Sequence, residues 1–78
     1  MNPRKLAELR SLFGRSVVDD AIARKSELNQ WRVEHAGAVA NATSELIVVI
    51  SSPPDAVAYA ASLEPQLRAA LIVAIMEV

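Results

Sequence analysis

The side chains that could do chemistry near neutral pH are few, and they are scattered. His35 is the only histidine in 78 residues, and cysteine is absent. As a general base His35 would need a nucleophile and an orienting acid within reach, and no spacing in the chain supplies them. Trp31 lies one helical turn before it and Val39 one turn after, so it reads first as a partly buried interface histidine. A pH-sensitive contact is the next reading, and catalysis the last. Asp19 and Asp20 are adjacent carboxylates, but neighbours on a helix diverge by about 100° and do not share a proton. In a first helical turn both are favoured by the dipole. Ser16, Ser51, Ser52 and Ser62 fall at expected caps and turns. One histidine and no cysteine leave no zinc pattern, and no glycine-rich phosphate loop is present. The expectation is a non-enzyme with no cofactor and no metal.

Arginine offers more. Arg4, Lys5, Arg10 and Arg15 face a single acid, Glu8, giving the first 15 residues a net charge of +3. With Leu6, Leu9 and Phe13 opposite, they form a basic amphipathic helix of the kind that meets phosphate, anionic lipid or an acidic protein groove. The whole chain carries only −1, whereas nucleic-acid binders are generally more basic, so nucleic acid is the alternative and not the favoured partner. Arg24 lies ~16 Å along the axis from His35. It reads as a guanidinium snorkelling to the edge of an apolar stripe or pairing with Asp20, four residues earlier.

These residues need helices to hold them. Asn2 caps and Pro3 opens a first helix, about 3–13, which Gly14 stops. Ser16 reads as the next cap. No proline follows until Pro53, and the composition from Val17 to Ser51 favours one long helix. Its stripe runs Val17, Ala21, Leu28, Trp31, Val39, Ala42, Leu46 and Val49. Thirty-five residues would span about 52 Å, so the helix must break near Ala36–Ala40 or project and pair with another chain. An alternative makes residues 46–50 a strand, on the strength of the β-branched run, but no second strand exists to pair with it. Ser51-Ser52-Pro53-Pro54-Asp55 is a turn leading to a short helix, about 55–62. Pro65 opens the last helix, about 65–77. Leu63-Glu64-Pro65-Gln66-Leu67-Arg68-Ala69-Ala70-Leu71-Ile72 resembles the Leu-x-Pro-x-Leu-Arg helix openings common in small helical-hairpin repeats, a likeness of ten residues that implies no function.

The distribution of apolar residues is the strongest signal. Residues 46–78 place 22 apolar side chains in 33 positions, and Arg68 is their only cation. Leu67, Leu71, Ala74, Ile75 and Val78 share one face of the last helix, and Ile72, Val73 and Met76 share the other. A helix apolar all round must be enclosed, and a chain this short with no disulfide or metal is expected to use a second copy. The sequence therefore predicts one all-α domain over residues 1–78, a bundle of three or four helices with one long central helix, packed or intertwined as a homodimer. The expected interface is Leu67, Leu71, Ile72, Ile75, Met76 and Trp31. The expected function is a non-enzymatic interaction module, a regulator or inhibitor of a protein target. The alternative is a nucleic-acid-binding regulator using Arg4, Lys5, Arg10 and Arg15. A membrane-peripheral role for the apolar end is a third and weaker reading. No run reaches the length of a membrane span and no secretion signal is legible, which gives the cytoplasm as the expected compartment.

Overall fold

A helix that is apolar on every face has to be enclosed, and here its own chain does the enclosing. The computed structural model describes residues 3–77 as α1 (Pro3–Phe13), α2 (Arg15–Ala23), α3 (Lys25–Glu34), α4 (Ala36–Val49), α5 (Pro53–Ser62) and α6 (Pro65–Met76). No strand occurs among the described residues, so residues 46–50 end a helix instead of forming one edge of a sheet. The Asn2 cap and the position of Val78 lie outside the described residues.

The α6 helix is the axis of the bundle, packing against α1, α2, α3 and α4, while α5 bridges α1 and α4. Five consecutive residues of α6, Ala69 to Val73, are buried, and Leu71, Ile72 and Val73 are 0% exposed within the single chain. Leu9 and Phe13 of α1, Val18 and Ala21 of α2, Leu28 of α3, Val39, Ala42 and Leu46 of α4, and Ala56 and Ala60 of α5 complete the core. The chain exposes 4710 Å², close to the roughly 4,600 Å² expected of a folded monomer of its mass. The expected dependence of α6 on a second chain is therefore overturned. Leu71 and Ile72 have no surface to offer a partner, and Leu67, Ile75, Met76 and Trp31 are half-buried against the same core.

The expected long central helix is also corrected, because residues 15–49 form three helices. The longest dimension of the molecule is 31 Å, far short of a continuous 35-residue helix. Wrapping α6 requires two turns of direction, and these fall at Arg24 and His35 without proline or glycine at either residue. At Arg24 the backbone departs from helical values (φ −104°, ψ 23°). Its guanidinium bonds Asp20 at 3.0 Å, Glu27 at 2.8 Å and the Gln66 amide oxygen at 3.2 Å, clamping the α2–α3 corner to the start of α6. The Glu27 and Asp20 hydrogen bonds raise its proton affinity further. His35 makes the second break (φ −124°, ψ 35°).

The other boundaries follow local chemistry. Gly14, not Ser16, is the cap of α2, at φ 92° and ψ 144°, a conformation open essentially to glycine alone. Ser52 precedes α5, whose first two positions are the two prolines, so that helix starts two residues before its expected start. Glu64, held extended (φ −55°, ψ 140°) by the following Pro65, precedes α6. The Tyr59 hydroxyl donates to the Ala42 carbonyl at 3.5 Å, joining α5 to α4.

Two stability predictions follow. Leu71→Glu places a carboxylate in a fully enclosed site and is expected to abolish helicity by circular dichroism, whereas Ile72→Val should cost only about 0.5–1.5 kcal/mol in urea unfolding. At the end of α6, Arg32 of α3 donates to the Glu77 carboxylate at 2.9 Å. That bond, ahead of the opposing desolvation and the further help of Asn29 and Lys25, holds the Glu77 carboxyl below its ordinary 4.5. A depressed carboxyl stabilises the fold above the unfolded-state value and ceases to do so as pH falls through the folded one. The stability difference between wild type and Glu77→Gln should thus be full near pH 7 and be lost as acidification carries the pH down through the depressed folded value.

Candidate interaction surface

Ion pairing decides which charged residues remain available. Asp19 on α2 draws in two of the basic residues singled out from the sequence. Arg10 donates to it at 2.9 Å, and the Arg15 Nε lies 3.8 Å away. The basic face of α1 is thereby partly neutralised by α2. Arg4 is exposed, Lys5 is half-buried, and both are engaged in interactions of their own. None of the four cations lines any of the clefts described below.

His35 and Trp31 do come together, as their spacing of four requires. The rings stack with centroids 4.0 Å apart and an angle of 11°. The imidazole Nδ1 lies 3.0 Å from the Trp31 carbonyl. A carbonyl only accepts, so Nδ1 carries the hydrogen of that bond. The same carbonyl accepts from the His35 backbone N–H at 3.0 Å. His35 thus ends α3 with its own side chain. It is exposed, and no nucleophile or acid touches its ring among the contacts described. Among the described residues no three histidine, aspartate or glutamate side chains are grouped to hold a metal. No helix there is long and apolar enough to cross a membrane.

The exposed apolar surface lies elsewhere, on α4 and the α4–α5 corner. Val39, Ala42 and Leu46 turn one face of α4 to the core, with Val49 half-buried beside them. That spacing leaves Ile47 and Val48 on the outer face, 66% and 71% exposed, and Ile50 at the helix end 51% exposed. Glu45 is the only charge on α4. The outer faces of α2 and α3, by contrast, carry the ion pairs of Arg15, Arg24 and Arg32. Beyond Ile50 a shallow cleft of about 360 Å³ takes in Pro53, Leu12, Ser11 and Glu8. Val57 of α5 continues the apolar surface, 45% exposed. Val33 of α3 is 80% exposed beside a groove of about 540 Å³ that also takes in Ala36, Val39 and Ala40 of α4. The polar groups of that groove, Asn29, Arg32 and Glu77, already satisfy one another.

Sequence reasoning missed this ridge by looking for the interface on the most apolar helix. The signal was present, because Ile47 and Val48 lie off the stripe that contains Leu46 and Val49. Compared with protein-family models, curated proteins and solved structures, the chain finds no match.

Removing the imidazole tests the α3 terminus. His35→Ala should cost about 0.5–1.5 kcal/mol in thermal or urea unfolding, the worth of an aromatic pair. It should also weaken the near-ultraviolet circular dichroism of Trp31, the only tryptophan.

Proposed function

We propose that this chain is a non-enzymatic protein-interaction module that docks through the outer face of α4, first of all onto a second copy of itself. One observation carries the reading: Ile47, Val48 and Ile50 stand in solvent within four residues on a helix with a single charge. Solvent-facing helix surfaces are normally charged, and a contiguous apolar patch rimmed by polar residues marks a contact site. Ser44, Glu45 and Ser51 supply such a rim here. Two α4 helices laid together would remove these aliphatic side chains from water without disturbing either core. Such a dimer suits a small regulator or inhibitor of a protein target, with the same ridge or its dimer as the recognition surface. The reading moves the contact from α6, where Leu71 and Ile72 are enclosed, to α4. No observation on the basic N-terminal helix favours nucleic acid, because Arg10 and Arg15 share an acid.

Sedimentation equilibrium over micromolar to submillimolar concentrations tests this directly. Wild type should dimerise with concentration, and Val48→Glu should be monomeric with unfolding stability within about 0.5 kcal/mol of wild type, as exposed substitutions usually are. A wild-type chain that stays monomeric throughout, or a Val48→Glu chain that dimerises as well, rejects this surface as the site of self-association.

A further inference from the structure

Arg68 is the one cation among the described residues without a partner. Arg10, Arg15, Arg24, Lys25 and Arg32 each lie within 4 Å of a carboxylate, and Arg4 and Lys5 are engaged as well. Arg68 sits on α6, between buried Ala69 and half-buried Leu67. Its side chain is half-buried, and its Nε is enclosed with no hydrogen-bond acceptor. Leaving a buried donor unmet is costly, more so on a charged group, and such groups are normally paired. Arginine is also the side chain whose fork matches a carboxylate in bidentate fashion.

The surroundings say what would meet it. Arg68 lines a cleft of about 260 Å³ formed where α1 ends and α5 passes, walled by Leu12, Phe13, Val57 and Ala61, with the Ser11 hydroxyl as a further polar group. Gly14 forms part of the same wall, and no side chain caps the first turn of α2 that follows it. The N–H groups of Arg15, Ser16 and Val17 therefore have no acceptor within the helix and add positive potential near that rim. No aspartate or glutamate lines the cleft. Its volume falls below the roughly 300–1,000 Å³ typical of sites for drug-sized ligands, which limits what it encloses to a small molecule or the end of a larger one. We propose that this cleft binds a monocarboxylate carried on a short apolar group, the carboxylate paired with Arg68 and the apolar part against Leu12 and Val57. The cleft shares Ser11, Leu12 and Val57 with the surface that runs on from the α4 ridge but includes none of Ile47, Val48 and Ile50.

Hexanoate is the probe, with hexanol and inorganic sulfate as controls, followed by amide chemical shifts of the full chain. Hexanoate should shift the Ser11, Gly14 and Ala61 amides saturably, with hexanol and sulfate each at least tenfold weaker. Arg68→Met keeps the apolar stem and removes the charge. It should weaken hexanoate at least tenfold, leave hexanol unchanged, and give a chain at least as stable as wild type, because a half-buried charge with an enclosed, unmet donor is gone. An arginine kept only for packing would show lower stability and no effect on hexanoate. Ala61→Phe, at an exposed wall position, should block hexanoate with Arg68 intact. A second arm compares acetyl-Leu-Leu as free acid and as amide. Tighter binding of the acid than of hexanoate assigns the carboxylate to a chain terminus, and the reverse order to a free acid. Equal binding of hexanoate and hexanol, sulfate as tight as hexanoate, shifts away from the cleft, or full binding by Arg68→Met would each overturn the site.

Discussion

The structure depends on one constraint: a twelve-residue helix with almost no polar face has to be kept from water by 78 residues. A surface helix shows an apolar stripe of little more than 100°, whereas α6 buries five successive residues and so every direction around its axis. Enclosing it takes neighbours on all sides. Two long helices could not supply them, because each covers only one flank. Shorter helices joined at corners can, and α1 to α4 take those positions. Most of the architecture follows from that requirement, including the corners at Arg24 and His35. Neither is a conventional breaker residue. Each instead spends its side chain on the backbone or charges next to the corner, Arg24 through Asp20, Glu27 and Gln66, and His35 through Trp31.

Helical class, the Pro65 start of the last helix and the Gly14 stop were legible because they are local. A proline fixes its own φ and restricts the residue before it, and glycine alone takes the conformation found at Gly14. The inward stripe was also legible at Ala21, Leu28, Val39, Ala42 and Leu46, since helical spacing survives a change of axis direction. What could not be read was where the pair of corners falls: the length of the rod pointed to a break near Ala36–Ala40, just past His35, and nothing pointed to Arg24, because tertiary packing imposes both against a uniformly favourable helix propensity. Missing them had a larger consequence. With residues 17–51 as a rod, nothing in the chain could surround the last helix, and a second copy became the apparent solution. Cut into three, the same segment surrounds it.

The same geometry accounts for where apolar surface remains. Once Val39, Ala42 and Leu46 are committed to α6 and its neighbours, the continuing β-branched run at Ile47, Val48 and Ile50 has no inward direction left. The run reads as a strand in isolation because both its faces are apolar. On a helix, that same property forces half of it outward. The apolar outer face of α4 is therefore a cost that folding does not require. Serine or glutamate at positions 47 and 48 would satisfy the bundle equally, so the fold itself gives no reason for aliphatic residues there, and that is the ground of the proposed contact.

Arg68 is the counterpart of that ridge in the polar inventory. The charges of α2 and α3 form local and cross-helix pairs that hold corners, as Arg24 does, or ends, as Arg32 and Glu77 do. Folding uses each of them. Arg68 contributes no such tie: its Nε is enclosed, no acid approaches it, and the walls around it are aliphatic and aromatic. A methionine would fill the same space without the desolvation of a charge. Features that weaken the folded state without a structural return are where binding chemistry tends to reside. By that test, the outer face of α4 and the cleft at Arg68 are two sites that folding leaves unexplained.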